Sequence, residues 1–176
     1  MNLSSNSIGD VGASAIAEAI AQSDSLSTII LVCNMIGDAG ASAIAEAIAQ
    51  SKSPLATVDL CYNDIGDDGA IALAAAVAQS KSLVALDLAG NLIGDKGAIA
   101  LAAAIKQSKS PLATVDLSDN AIGDAGAVAL ADATKQSRSP LHMDLSHNQI
   151  SAVGTIALAE AIKQSKSLLT VDFSEN

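Results

Sequence analysis

The chain has 176 residues, a formal net charge of −10, 50% hydrophobic residues and 1% aromatics. Such an acidic balance excludes a nucleic-acid or anionic-membrane surface, both of which need clustered Lys and Arg, and suits a basic protein partner. Cys33 and Cys61 are too few for a disulfide framework, the start Met-Asn-Leu-Ser-Ser lacks a signal-peptide pattern, and no apolar run nears the ~18 residues that span a bilayer, so a cytoplasmic location is expected.

In chain order, one phrase keeps returning. Met1 enters in the middle of a strand that closes at Asn6, Gly9-Asp10 opens a helical stretch, and the next strand closes at Asn34. The alternation continues through Asn63, Asn91, Asn120 and Asn148 to Asn176, always 28 or 29 residues on. The fullest copies are LVALDLAGNLIGDKGAIALAAAIKQSKS from Leu83 and PLATVDLSDNAIGDAGAVALADATKQSRS from Pro111. Leu83, Leu86, Leu88, Asn91 and Ile93 alternate as a short strand does, whereas Ala98, Leu101, Ala102 and Ile105 follow helical spacing. Asp10, Asp38, Asp67, Asp95 and Asp124 stand where the N-cap of their own helix would accept backbone N–H bonds. Gln-Ser-Lys-Ser then ends the helix, and Pro54, Pro111 or Pro140 marks the return to a strand. Residues 1–176 therefore read as a single domain of six repeats plus a final strand, with no obvious caps.

A strand and a helix of about 12 residues, repeated in one direction, give parallel strands with right-handed crossovers. Strands pack ~4.8 Å apart and helices ~10 Å apart, so the stack must curve with its strands inside. The pattern LxxLxLxxNxIGDxGAxxLAxAI resembles the ribonuclease-inhibitor class of leucine-rich repeats, which includes ribonuclease inhibitor, Ran GTPase-activating protein and the sensor arms of NOD-like receptors. The resemblance covers the whole chain. It implies an α/β right-handed solenoid, a horseshoe arc with a parallel β-sheet on the concave face and α-helices on the convex face, and a protein-binding role.

Within that pattern, Asn34, Asn63, Asn91, Asn120 and Asn148 are read as a structural ladder whose buried amides satisfy the neighbouring turn. Gly9, Gly37, Gly66, Gly94 and Gly123 are read as residues for tight turns and close packing. Gly-Asp-x-Gly lacks the Gly-Lys-Ser/Thr of a phosphate loop. Asp64, Asp67 and Asp68 lack the Glu that would close a calcium loop.

Repeat six departs from its own pattern. Pro140 to Asn148 is one residue shorter than Pro111 to Asn120, and Ser151 replaces the turn Gly-Asp, which predicts locally irregular geometry with Ser151 as a substitute cap. At the ends, two readings compete for the strands left bare: a piece of a longer array, which is favoured, or a unit that self-associates through its ends.

The outward strand position runs Asn2, Ile30, Asp59, Asp87, Asp116, Asp144, Asp172 along the array. Beside it lie Thr28, Thr57, Ala85, Thr114, His142 and Thr170, and then Ser4, Val32, Cys61, Ala89, Ser118, Ser146 and Ser174. The concave face is thus expected to carry five stacked aspartates bordered by small hydroxyl residues. A column of Lys52, Lys81, Lys109, Arg138 and Lys166 precedes the strands, ~20 Å away along extended chain, too far to neutralise them. One reading has the acidic stripe steer a basic protein into the concave face; the other has it merely keep the sheet soluble. Tyr62 is the best single contact candidate, and Thr57 and Thr114 are further partner-binding candidates on the concave face. Ile71, Ile99, Val128 and Ile156 are read as packing between adjacent helices.

No nucleophile and base, no metal set and no cofactor motif emerges. His142 and His147 are five apart and fall on opposite strand faces if pairing is regular. The expected function is a non-enzymatic protein–protein interaction scaffold. An uncapped fragment or self-assembling element is the alternative, and a GTPase regulator the third.

Overall fold

The computed structural model describes residues 1–136, 140–165 and 169–176. Strand and helix alternate from end to end. The helices are α1 (Gly9–Gln22), α2 (Asp38–Gln50), α3 (Asp67–Gln79), α4 (Asp95–Gln107), α5 (Asp124–Gln136) and α6 (Ala152–Gln164). The strands are β1 (Thr28–Ile30), β2 (Thr57–Asp59), β3 (Ala85–Asp87), β4 (Thr114–Asp116), β5 (Leu141–Asp144) and β6 (Leu169–Asp172). The six strands form one parallel sheet in sequence order. The segment before α1 extends it, through an Asn2–Ile30 bridge and an Ile30 N–H that donates to the Met1 carbonyl at 2.9 Å.

Packing follows from residue size. Ile29, Val58, Leu86, Val115 and Met143 point from the strands into the core, and Leu31, Leu60, Leu88, Leu117 and Leu145 follow them in, all essentially excluded from solvent. Facing them, each helix offers mostly Ala with one or two larger aliphatics, such as Ile44 or Leu73. Small side chains let successive helices lie close enough for a core without aromatics to fill. Each helix stops at Gln; after α2, α3 and α4 the chain leaves the helix at Ser51, Ser80 and Ser108, whose N–H groups still bond back into the last turn at 2.8–2.9 Å.

The Asn ladder joins repeats as well as turns. Asn91 accepts the Ile65 N–H of the preceding repeat at 3.0 Å, and its Nδ2 donates to the Leu60, Leu88 and Ala89 carbonyls at 3.0–3.2 Å. Asn63, Asn120 and Asn148 repeat the arrangement, each bonding a leucine carbonyl one repeat back at 2.9–3.0 Å. Among the described residues, no buried side-chain polar atom lacks a hydrogen-bond partner.

The aspartates depart from the expected capping of their own helices. Asp38, Asp67 and Asp95 are the first helical residues, and the glycine N-caps before them receive no side-chain bond from their own repeat. Each carboxylate reaches forward instead. Asp95 accepts the Gly123 and Gly126 N–H groups at 2.9 and 2.8 Å, and Asp67 accepts those of Gly94 and Gly97 at 2.9 and 2.8 Å. An anion thus sits at the N-terminus of the following helix, where unpaired amides and the helix dipole favour it. This forward reach explains the second glycine of the motif, since a Cβ on Gly97 would lie 2.9 Å from the Ala70 Cβ and 3.0 Å from Asp67 Oδ1. The first glycine is less demanding, because Gly94 has φ −102°, open to any residue.

Repeat six is more regular than expected. Ser151 takes the N-cap with φ −88°, close to Gly94, and its hydroxyl accepts the Val153 N–H at 3.3 Å. Asp124 reaches forward to it as elsewhere, at 2.9 Å to the Ser151 N–H. The strand does differ, since β5 has four residues with Leu141 and Met143 both buried, but from His142 to Asp144 it pairs with β4 in unbroken register. In repeat five the N–H groups of Ala113 and Thr114 share the Val84 carbonyl, whereas in repeat six, among the described residues, the Ala113 carbonyl accepts the His142 N–H at 2.7 Å. A second correction concerns Ile71, Ile99, Val128 and Ile156, which are 37–66% exposed on the helical side rather than packed away between helices.

Two substitutions separate these bonds. Asp95→Ala is expected to lower stability by about 1–2 kcal/mol in urea unfolding, the range of a lost N-cap. Asn91→Ala, which strands a buried N–H and several carbonyls, is expected to cost about 3 kcal/mol.

Candidate binding face of the sheet

Alternation along each short strand puts one residue in the core and its two neighbours on the face opposite the helices. Asp59, Asp87, Asp116, Asp144 and Asp172 are direct register partners from β2 to β6, so they form one continuous column. Thr57, Ala85, Thr114, His142 and Thr170 form a second column beside it.

Each aspartate also holds the turn that follows its strand. Its Oδ1 accepts the N–H two residues on: Cys61 for Asp59, Ala89 for Asp87, Ser118 for Asp116, Ser146 for Asp144 and Ser174 for Asp172, at 2.9–3.1 Å. Ser118 and Ser146 add hydroxyl bonds at 2.7 Å. Asn2 does the same for Ser4 at 3.0 Å in the first repeat. A neutral amide therefore serves the turn as well as a carboxylate, and the charge is surplus to the local geometry.

That surplus is felt in the middle of the column. Burial and the flanking Asp116, Asp59 and Asp144 push the Asp87 carboxyl up to about 6, against the opposing Ala89 N–H. At the far end Asp172 is held below the ordinary carboxylate range by Ser174, with smaller help from His142 and His147. Among the described residues, the two ion pairs, Lys135–Asp132 at 3.1 Å and His147–Glu175 at 3.6 Å, leave the column untouched. Lys52, Lys81 and Lys109 stand exposed; Arg138 and Lys166 lie outside the described residues.

Beyond the column, the chain turns through a left-handed residue in every repeat. Ser5, Cys33, Tyr62, Gly90, Asp119, His147 and Glu175 all have φ between +52° and +63°. The Tyr62 ring, 56% exposed, lies against Gly90, where a Cβ would come within 2.4 Å of it. This glycine makes room for the chain's one tyrosine. The same turn removes the regular pairing on which the expected separation of the histidines depended. At φ 52° His147 leaves strand alternation, and both histidines come near enough to Asp172 to favour its ionised form.

A gathering at the boundary between repeats three and four escaped sequence reasoning. Ligand atoms of Asp59, Cys61 and Asp87 lie within 4.8 Å of one another. Burial and a hydrogen bond to Asp59 raise the Cys61 thiol far above its usual range. The signal was present in the columns, since Cys61 follows Asp59 by two, but β2–β3 register was needed to bring in Asp87.

A family model described as Leucine Rich repeat matches residues 2–17, 22–45, 52–74, 79–102, 109–131 and 141–159. No curated protein matches the chain significantly. A solved structure of leiomodin-1 actin-binding site 2 (ABS2) is similar over 84% of this chain and 86% of that one, with a TM-score of 0.67 and 17% identity. At that identity the likeness is one of fold.

For Asp87 the sign of the pH effect is fixed. A carboxyl whose folded pKa lies above its unfolded value costs stability at neutral pH, and the cost fades as pH falls from 6 towards 4. The full linkage value of ~3 kcal/mol drops to about 1 kcal/mol once solvent screening of a partly exposed group is allowed for. Asp87→Asn is therefore expected to raise stability by about 1 kcal/mol at pH 7.5, with the gain gone near pH 4 in urea unfolding at both values.

Proposed function

We propose that this chain, which belongs to the leucine-rich-repeat family, is a non-catalytic protein-interaction scaffold that receives a basic protein surface on its aspartate column. The observation that carries the reading is the unpaired column itself: five carboxylates in register on the face opposite the helices, with no ion pair to them among the described residues. The turn they hold needs only an acceptor, as Asn2 demonstrates, so their charge is available for a partner. The similar actin-binding structure supports a protein as the class of partner, since it uses this fold for that purpose.

Electrostatics of this kind governs approach more than final grip. Neighbouring unit charges at strand spacing repel by about 1 kcal/mol in water, and a cationic partner relieves that repulsion. Tyr62 supplies the one large aromatic surface near the column, with Thr57 and Thr114 as hydrogen-bonding neighbours. No described helix is long and apolar enough to cross a membrane, which is in keeping with an encounter in water.

The test is stopped-flow association with a lysine-rich peptide at pH 7.5. Asp87→Asn combined with Asp116→Asn is expected to slow association several-fold, on the order of two- to fivefold at low salt. The difference should close as salt shortens the Debye length from ~30 Å at 0.01 M to ~8 Å at 0.15 M. An unchanged association rate would remove the steering role from the column.

A further inference from the structure

We propose that Asp59, Cys61 and Asp87 form a binding site for a single borderline-soft divalent cation of the Zn²⁺ or Cd²⁺ class. The two carboxylates come from adjacent strands in direct register, and the thiol from the turn just past β2. Their ligand atoms already lie within 4.8 Å of one another. Zn–O bonds of about 2.1 Å and a Zn–S bond of about 2.3 Å place tetrahedral donors roughly 3.5 Å apart, a closure of about an ångström that side-chain rotation supplies.

The rest of the column serves as an internal comparison. Asp87–Asp116 and Asp116–Asp144 are register pairs of the same kind, but Ala89 and Ser118 stand where Cys61 does. Carboxylates alone suit Mg²⁺ or Ca²⁺ in a closed oxygen cage that a flat sheet cannot build, whereas a thiolate selects softer ions at low coordination number. The site is therefore singled out by a donor that only one repeat supplies. The backbone around the thiol is tied to the adjacent repeat, since Cys33 donates its N–H to the Cys61 carbonyl at 3.1 Å. Both carboxylates keep one oxygen on a backbone N–H, at 3.1 Å for Asp59 and 3.0 Å for Asp87, which fixes their orientation. On binding, the Cys61 proton leaves to solvent and the ion gains a thiolate and two carboxylates, whose three negative charges more than offset its two positive ones. This site shares Asp59 and Asp87 with the column of the partner reading but does not depend on that reading being right.

The experiment is titration of the full chain with Cd²⁺ under reducing conditions, read by thiolate-to-metal absorption in the ultraviolet, with Zn²⁺ calorimetry in parallel. One ion per chain is expected, with Mg²⁺ in excess failing to displace it. Cys61→Ser should abolish the absorption and weaken Zn²⁺ by more than about tenfold, a loss typical even of outer-shell partners. Asp87→Asn should weaken it too, while Asp144→Asn, on the same column but remote from the thiol, should leave it unchanged; circular dichroism verifies folding of each variant. Absorption that survives Cys61→Ser, or equal losses in Asp87→Asn and Asp144→Asn, would overturn the proposal in favour of diffuse binding to the column.

Discussion

Every repeat in this chain depends on polar groups that belong to its neighbours. A strand that exits into a turn leaves amides and carbonyls facing a core of alanine, leucine and isoleucine, where an unpaired group costs a substantial part of a domain's net stability. The ladder asparagines solve this by spanning the boundary, with an oxygen on the isoleucine amide and a nitrogen on the leucine carbonyl of the preceding repeat. The aspartates of Gly-Asp-x-Gly couple the other way, from one repeat's helix start onto the next. Hydrogen bonds thus tie each boundary in both directions, and no repeat has a complete set alone. That makes stability a nearest-neighbour property, as expected for a solenoid.

Much of this was legible from the residues. The 28- or 29-residue recurrence of Asn, with strand alternation before it and helical spacing after it, fixed element type, order and parallel topology, because each of those follows from periodicity. What periodicity cannot reveal is which neighbour a polar side chain reaches. Asp95 at a helix start looks like a local cap, and only the stacking shows it closer to the following repeat's amides than to its own. Likewise Ile71 and Ile99 fit a buried column by spacing, but the helices bring their alanine faces together and leave those larger side chains outside.

The aspartate column illustrates the same division. Its membership could be read off the strand phase, and the register pairs it as counted. Its second duty, holding each following turn through Oδ1, could not, and neither could the convergence of Cys61 on two carboxylates from different strands. His142 and His147 show the reason: five residues apart implies opposite faces only while the backbone stays extended, and a left-handed residue resets that count.

Those left-handed residues have a consequence for how such a chain diversifies. The seven occupants are Ser, Cys, Tyr, Gly, Asp, His and Glu, nearly every chemical character in the alphabet, all held at almost the same backbone angles. The scaffold's own bonds at that point are made by its backbone and by the adjacent asparagine, so the side chains there answer mainly to one another, as Tyr62 does to Gly90 and His147 to Glu175. Natural variation can write there one letter per repeat, at a fixed pitch, without rewriting the architecture underneath.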